Sequence, residues 1–155
     1  MAALDKLTVR PAENDDLDSI CRLLEASRLP SVGVVDGLAG FLVAESAGNI
    51  VGVVGVERCN DDFGLLRSTA VAESRRGEGI GHRLVERAIS DAGAKGFARL
   101  YLLTKTAEDF FPRFGFALIP RDAVPEQVRA TEEFRSDCCS CAAVMVLALG
   151  NDGAL

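Results

Sequence analysis

Val71-Ala72-Glu73-Ser74-Arg75-Arg76-Gly77-Glu78-Gly79-Ile80-Gly81 is the stretch whose reading decides the fold. An apolar, strand-like run ends at Val71, and three glycines alternate from Gly77 to Gly81. An amphipathic helix follows at once, with Leu84, Val85, Ala88 and Ile89 at helical spacing. Glycines admit backbone geometry closed to other residues and let a ligand come close. Their N–H groups, with those of the helix start, make a nest for an anion, and Arg75 and Arg76 add positive charge at its mouth. A pyrophosphate is the natural guest. The plain alternative is a tight strand-to-helix turn with no ligand, but two arginines and three glycines are more than such a turn needs. A Walker A loop would need Lys-Ser/Thr after its last glycine, whereas Gly81 precedes His82-Arg83. A dinucleotide fingerprint would follow the first strand of a βαβ unit.

Upstream, Phe41–Glu45 and Ile50–Glu57 read as strands around a turn at Ser46–Asn49. Asn60-Asp61-Asp62 makes a second turn and Phe63–Val71 a third strand, so the three form an antiparallel meander. Before them, Leu7–Arg10 is a short strand ended by Pro11. Asn14–Asp16 supplies cap candidates for a helix to about Arg28, with Leu17, Ile20, Leu23 and Leu24 on its apolar side. Leu29-Pro30 stops it, and Ser31–Leu38 is open between a short helix and an ordered loop. Downstream, the glycine loop's helix runs from Gly81 to Ala92 with Gly93 as its cap. Arg99–Leu103 is a strand. Thr106 starts a helix carrying Ala107, Phe110, Phe111 and Phe114, and Gly115 ends it. Phe116–Ile119 is a strand, Pro125–Ala130 a helical piece, and Ala142–Leu149 the last strand. The order β-α-β-β-β-α-β-α-β-β predicts one mixed α/β domain over residues 1–155.

Composition narrows the function classes. The chain has 155 residues and net charge −6, with 48% hydrophobic and 26% charged residues, which excludes wholesale disorder. Its apolar runs are too short to span a bilayer, and no basic tail or block marks a nucleic-acid binder. With no signal-peptide pattern at the start, a cytoplasmic protein is expected. Five cysteines, three of them at Cys138, Cys139 and Cys141, are not the even framework of a secreted scaffold. Adjacent cysteines and a single histidine make a thin ligand set, so no metal is expected.

Arg76-Gly77-Glu78-Gly79-Ile80-Gly81, between strand and helix, resembles the Arg/Gln-x-x-Gly-x-Gly/Ala signature of the GCN5-related N-acetyltransferase superfamily. The resemblance extends over almost the whole chain. It implies a mixed central sheet, with an antiparallel N-terminal meander and splayed parallel strands, flanked by helices. Leu65–Val71 and Leu100–Phe116 look like a narrower branch of amino-acid N-acetyltransferases, including acetylglutamate synthases and acetyltransferases of arsenic-resistance operons. The segment Pro125–Cys138 resembles the arsenic-associated members most.

The resemblance implies acetyl-coenzyme A as cosubstrate, its pyrophosphate on backbone donors within Arg76, Gly77, Glu78, Gly79, Ile80 and Gly81. It places the pantetheine arm along Thr69, Ala70 and Val71, with Thr104, Thr106, Ala107 and Phe110 on the other wall. The N–H near Val71 is then the oxyanion donor. An ammonium has a pKa of about 10, so direct attack by an amine needs a base. Glu57 is the first candidate and Glu45 the second. Many relatives carry a tyrosine where this chain has Phe111, and Tyr101, the only tyrosine, lies in a strand, so the thiolate is expected to leave without a dedicated acid or to take a proton from water. Arg67, with Ser68 beside it, is placed to hold a substrate carboxylate, and Arg129 or Arg135 to serve as a second clamp. The segment from Leu29-Pro30 to Leu38 is expected to form a lid over the acceptor, and His82 to have a surface or phosphate-edge role. The implied partner is a small, carboxylate-bearing amine, an amino acid or analogue, with neither nucleic acid nor membrane. A homodimer fits the superfamily. Peptide amines, or acyl-coenzyme A binding without catalysis, are the alternative functions.

Overall fold

The computed structural model describes residues 6–29, 31, 33–105, 107, 109–135 and 142–149. Ala47 and Gly48, at φ +53° and +82°, form a two-residue left-handed turn matched to strand twist. It joins β2 (Phe41–Ser46) to β3 (Asn49–Arg58), antiparallel from Phe41↔Gly55 to Ser46↔Asn49. β1 (Leu7–Pro11) lies antiparallel on the outer side of β2. At the far end of β3, Asn60 Oδ1 accepts from the N–H groups of Asp62 and Phe63 at 2.8 and 2.7 Å, which turns the chain into β4 (Phe63–Val71). β5 (Arg99–Thr104) runs parallel to β4, from Phe63↔Arg99 to Leu66↔Leu102. β7 (Ala143–Ala148) is antiparallel to β5, and β6 (Ala117–Ile119) is antiparallel to β7. The strand order is β1-β2-β3-β4-β5-β7-β6, the mixed sheet that the sequence implied.

The chain forms two compact units, and β3 and β4 each contribute to both. The first holds the residues up to Gly55 and Ser68–Ala88. Here α1 (Leu17–Ala26) places Ile20 and Leu24 against Phe41, Val43, Val53 and Ala70, with Val34 and Leu38 completing the cluster. Each such side chain, fully buried, contributes about 1.5–3 kcal/mol before entropy is counted. On α2 (Ile80–Ala94) the contact is closer: a Cβ on Gly52 would lie 2.8 Å from Leu84 Cδ1 and 3.0 Å from Ile80 Cγ2. The start of α2 therefore sits directly on the β3 backbone, which fixes the glycine loop ahead of it.

The second unit holds Val56–Arg67 and the residues from Ile89 onward. Its apolar cluster is Leu65, Tyr101, Val124, Val128 and Val144, with Cys59, Phe63, Leu103 and Phe134 packed against it. Two one-turn helices, α3 (Glu126–Arg129) and α4 (Glu132–Arg135), bring Val128 and Phe134 to that cluster.

Three local expectations change, and one open segment resolves. α2 continues past Gly93, and Gly96 is the left-handed cap at φ +91°. Phe97 N–H reaches the Ala92 carbonyl and Gly96 N–H the Gly93 carbonyl, both at 3.1 Å, a closure that buries Phe97. α1 ends at Ala26 and is capped the same way, with Arg28 at φ +59° in the glycine position. Of the helix expected from Thr106, the described residues form only a 3₁₀ turn, Phe111–Phe114, where Pro112 has no N–H to continue an α-helix. The segment before β2 resolves into turns and a 3₁₀ turn, Leu38–Gly40.

Candidate active site

In the first unit, the loop expected to hold an anion has the backbone for it. Gly77 and Gly79 stand at φ +85° and +84°, where a side chain is strained, yet a Cβ at either would meet nothing within 4 Å. The glycines are required for direction of the backbone, and the space before them is open. Among the described residues, the N–H groups of Gly77, Glu78, Gly79, Ile80 and Gly81 meet no protein acceptor; the first bond of the helix is Arg83 N–H to the Gly79 carbonyl at 3.1 Å. Five adjacent donors at the positive end of a fifteen-residue helix make an arrangement suited to a phosphate or pyrophosphate.

The two arginines do something other than line that mouth as bare charges. Arg75 Nε bonds both carboxylate oxygens of Glu78, at 2.9 and 3.1 Å. Arg76 Nε donates to the Val71 carbonyl at 3.2 Å, while Ala72 N–H donates to the Val51 carbonyl at 2.8 Å. The peptide joining Val71 to Ala72 is thus held at both ends. Beside it is a cleft of about 330 Å³, lined by Ile50, Val71, Ala72 and Arg76, by Arg22 of α1 and by Ser27 at that helix's end. The α1 wall was not legible in the sequence, where only the apolar side of that helix stands out. Thr69 and Val71 alternate with Ala70, whose side chain is buried in the apolar cluster. His82 pairs with Glu86 at 3.3 Å on the exposed face of α2. Glu45 is held at 2.9 Å by Arg10, which also grips both carboxylate oxygens of Asp16 at 2.8 and 3.1 Å. Val34 and Leu38, from the segment expected as a lid, are buried in the apolar cluster, and Pro30 and Val32 lie outside the described residues.

In the second unit, Glu57 and Arg67 come together. Arg67 Nη1 lies 3.5 Å from Glu57 Oε1; the arginine side chain is 2% exposed and the glutamate 35%. Thus the expected base and the expected carboxylate clamp are each other's partners. Ser68 follows Arg67 with φ +60°, a strained conformation for a non-glycine residue that costs about 1–3 kcal/mol. The β4–β5 ladder ends just before it, at Leu66↔Leu102. Nothing in the residue type announced that kink.

Thr104 Oγ1 accepts from Ala107 N–H at 2.9 Å, and Phe110 meets Phe111 and Phe114 edge to face. Arg129 and Arg135 are exposed on α3 and α4. Tyr101 is a core residue, packed edge to face on Phe63 and accepting from Arg99 at 3.4 Å. Burial, with the charge of Glu57 nearby, pushes the Cys59 thiol up to about 12, so it stays protonated at neutral pH and is no nucleophile. Thr106 and the cluster Cys138, Cys139 and Cys141 lie outside the described residues. Among the described residues no group of three His, Cys, Asp or Glu side chains could hold a metal ion.

Comparison with known proteins adds to this geometry. The family model for the acetyltransferase (GNAT) domain matches residues 37–118, from the first meander strand to beyond the glycine loop. An amino-acid acetyltransferase of Mycobacterium tuberculosis is 31% identical over 129 residues, 77% of this chain and 74% of that protein. The crystal structure of Rv2747 from Mycobacterium tuberculosis in complex with CoA matches with a TM-score of 0.79 at 26% identity, covering 91% of this chain and 98% of that one. N-acetylglutamate synthase from Neisseria gonorrhoeae, complexed with coenzyme A and N-acetyl-glutamate, gives 0.81 at 24% identity over 94% of this chain and 35% of that one, a likeness of fold.

Proposed function

This chain belongs to the acetyltransferase (GNAT) domain family, and from that premise we propose that it transfers an acetyl group from acetyl-coenzyme A to the amine of a small amino acid or analogue. The observation that carries the reading is the row of five backbone donors, Gly77 to Gly81, open at the start of α2. They fit the coenzyme's pyrophosphate, which needs several donors and no particular side chain. The cosubstrate supplies an activated thioester. The chain's own residues do the rest. Thr69, Ala70 and Val71 offer backbone to the pantetheine arm. Val71 N–H meets the negative charge that develops on the thioester oxygen. Glu57, half-exposed at the end of β3, takes the proton that the acceptor ammonium must lose.

Support for an amino-acid acceptor comes from the 31% identical amino-acid acetyltransferase and from the arginines of the second unit. Arg129 and Arg135, exposed on their short helices, are available to a carboxylate. A thiol-release assay with acetyl-coenzyme A tests this across free amino acids, their decarboxylated amines and peptide amines. Turnover confined to free amino acids and analogues is expected. Preference for peptide amines would overturn the acceptor, and tight coenzyme binding without turnover on any amine would overturn the enzyme.

A further inference from the structure

We propose that Arg67 is a positioning residue whose work is on Glu57, holding that carboxylate in place for the acceptor amine; the inference rests on Glu57 being the base. At 2% exposure the Arg67 guanidinium is out of reach of bulk solvent, and the Glu57 carboxylate lies 3.5 Å from it. A guanidinium keeps its charge when buried, so it must be neutralised, and its planar fork restricts how a carboxylate can lie against it.

The two partners differ in freedom. Arg67 follows Leu65 on the same face of β4, and Leu65 is wholly buried with Tyr101 and Val128. Immediately after it the backbone turns at Ser68, and the arginine makes further interactions of its own. Cys59, two residues beyond Glu57 on the same side of the chain, packs on that apolar cluster, and its thiol points at the Glu57 carbonyl at 3.8 Å. Backbone on both sides is therefore fixed, and of the two charged groups only the glutamate has an open side. A rigid cation behind a half-exposed carboxylate orients it. A clamp for the substrate would be reached by the substrate, as the exposed Arg129 and Arg135 can be.

The experiment is steady-state kinetics of Arg67→Gln, Arg67→Lys, Glu57→Gln and the double variant Arg67→Gln/Glu57→Gln, with an amino acid and its decarboxylated amine as acceptors. Misplacement of a reacting group costs about 10- to 100-fold, so Arg67→Gln should lower kcat by that factor for both acceptors, with the amino-acid KM within about threefold. Arg67→Lys should recover part of the loss. The double variant should be no slower than Glu57→Gln, because the arginine acts through the glutamate. A rise in amino-acid KM with kcat kept, and the decarboxylated amine unaffected, would make Arg67 the clamp and overturn the proposal. So would a normal Arg67→Gln beside a slow Glu57→Gln, and that result leaves the proposed function standing. A normal Glu57→Gln would remove the base assignment itself. Should Arg67→Gln fail to fold by circular dichroism, Arg67→Lys decides alone: reduced kcat at constant KM supports positioning, and raised KM at constant kcat opposes it.

Discussion

The glycine loop of the first unit and the Glu57–Arg67 pair of the second offer opposite kinds of chemistry. The loop works with main-chain N–H groups, whose direction is set by two left-handed glycines and by the seating of α2 on Gly52. The pair works with two side-chain charges 3.5 Å apart, one buried and one half-exposed. A backbone site tolerates changes of side chain and fails when the backbone is redirected. A side-chain site fails at the loss of a single functional group. Substitutions chosen against these two rules should separate coenzyme binding from chemistry.

The largest effect belongs to the pair. Glu57→Gln keeps the shape and removes the proton acceptor, so kcat should fall by about 10²- to 10⁴-fold. Calorimetric titration should find coenzyme affinity unchanged. A kcat within about twofold of wild type would move the base elsewhere, and Glu45, tied to Arg10, would be a poor replacement.

Redirecting the loop comes next. Gly77→Val and Gly79→Val put a β-branched residue at φ near +85°, where space is open but the conformation is disfavoured by about 1–3 kcal/mol. The KM for acetyl-coenzyme A should rise roughly tenfold or more, with kcat at saturation nearly kept. The control is Gly93→Ala: that glycine is within α2, has no positive φ and has no atom near its missing Cβ. This variant should stabilise the protein by roughly 0.5–1 kcal/mol in urea. Equal effects at Gly79 and Gly93 would refute a conformational reason for the loop glycines.

The same contrast explains what could be read from sequence. The loop was legible because φ > 0 leaves a mark in the residue type, and the strands because alternation and turn chemistry repeat along the chain. β4 was placed at Phe63–Val71 without error. The α2 cap was set three residues early because Gly93 and Gly96 are equivalent as letters, and only the burial of Phe97 selects the second. The phenylalanine spacing suggests a helix where, among the described residues, a 3₁₀ turn stands at Pro112. Ser68 carries the strained kink of β4 with no glycine to announce it. The pairing of Glu57 with Arg67 depends on two strands meeting, which no local pattern records.

A second carboxylate–arginine contact, in the first unit, sharpens the comparison because its role is structural. The Arg10 guanidinium, bonded to both oxygens of Asp16, holds that carboxyl below the usual carboxylate range. Its pKa is lower folded than unfolded, so the stabilisation is full above about pH 4 and is lost as pH falls through the folded value. Asp16→Asn should cost about 2 kcal/mol at pH 7, read by urea unfolding, with the gap to wild type closing below about pH 4. Turnover per folded molecule at pH 7 should not change. A fall in kcat would draw Asp16 into the chemistry.

The smallest effect is expected where the sequence placed charge most plainly. Arg75 is adjacent to the donor row, but its Nε is bonded to both oxygens of Glu78, and the pair is exposed on the loop. An exposed pair of this kind contributes about 0–1 kcal/mol, and its net charge toward an anion is near zero. Arg75→Ala should therefore raise the KM for acetyl-coenzyme A by no more than about twofold, and salt at about 0.5 M should erase the difference by screening. Glu78→Ala releases the same arginine and should lower that KM by a similarly small factor. Opposite signs for the two variants would show that the cation matters only as far as its carboxylate partner lets it, with the backbone holding the anion. A tenfold loss in Arg75→Ala that persists in salt would mean that the arginine leaves Glu78 to bind the phosphate directly, and the loop would then be a side-chain site as well.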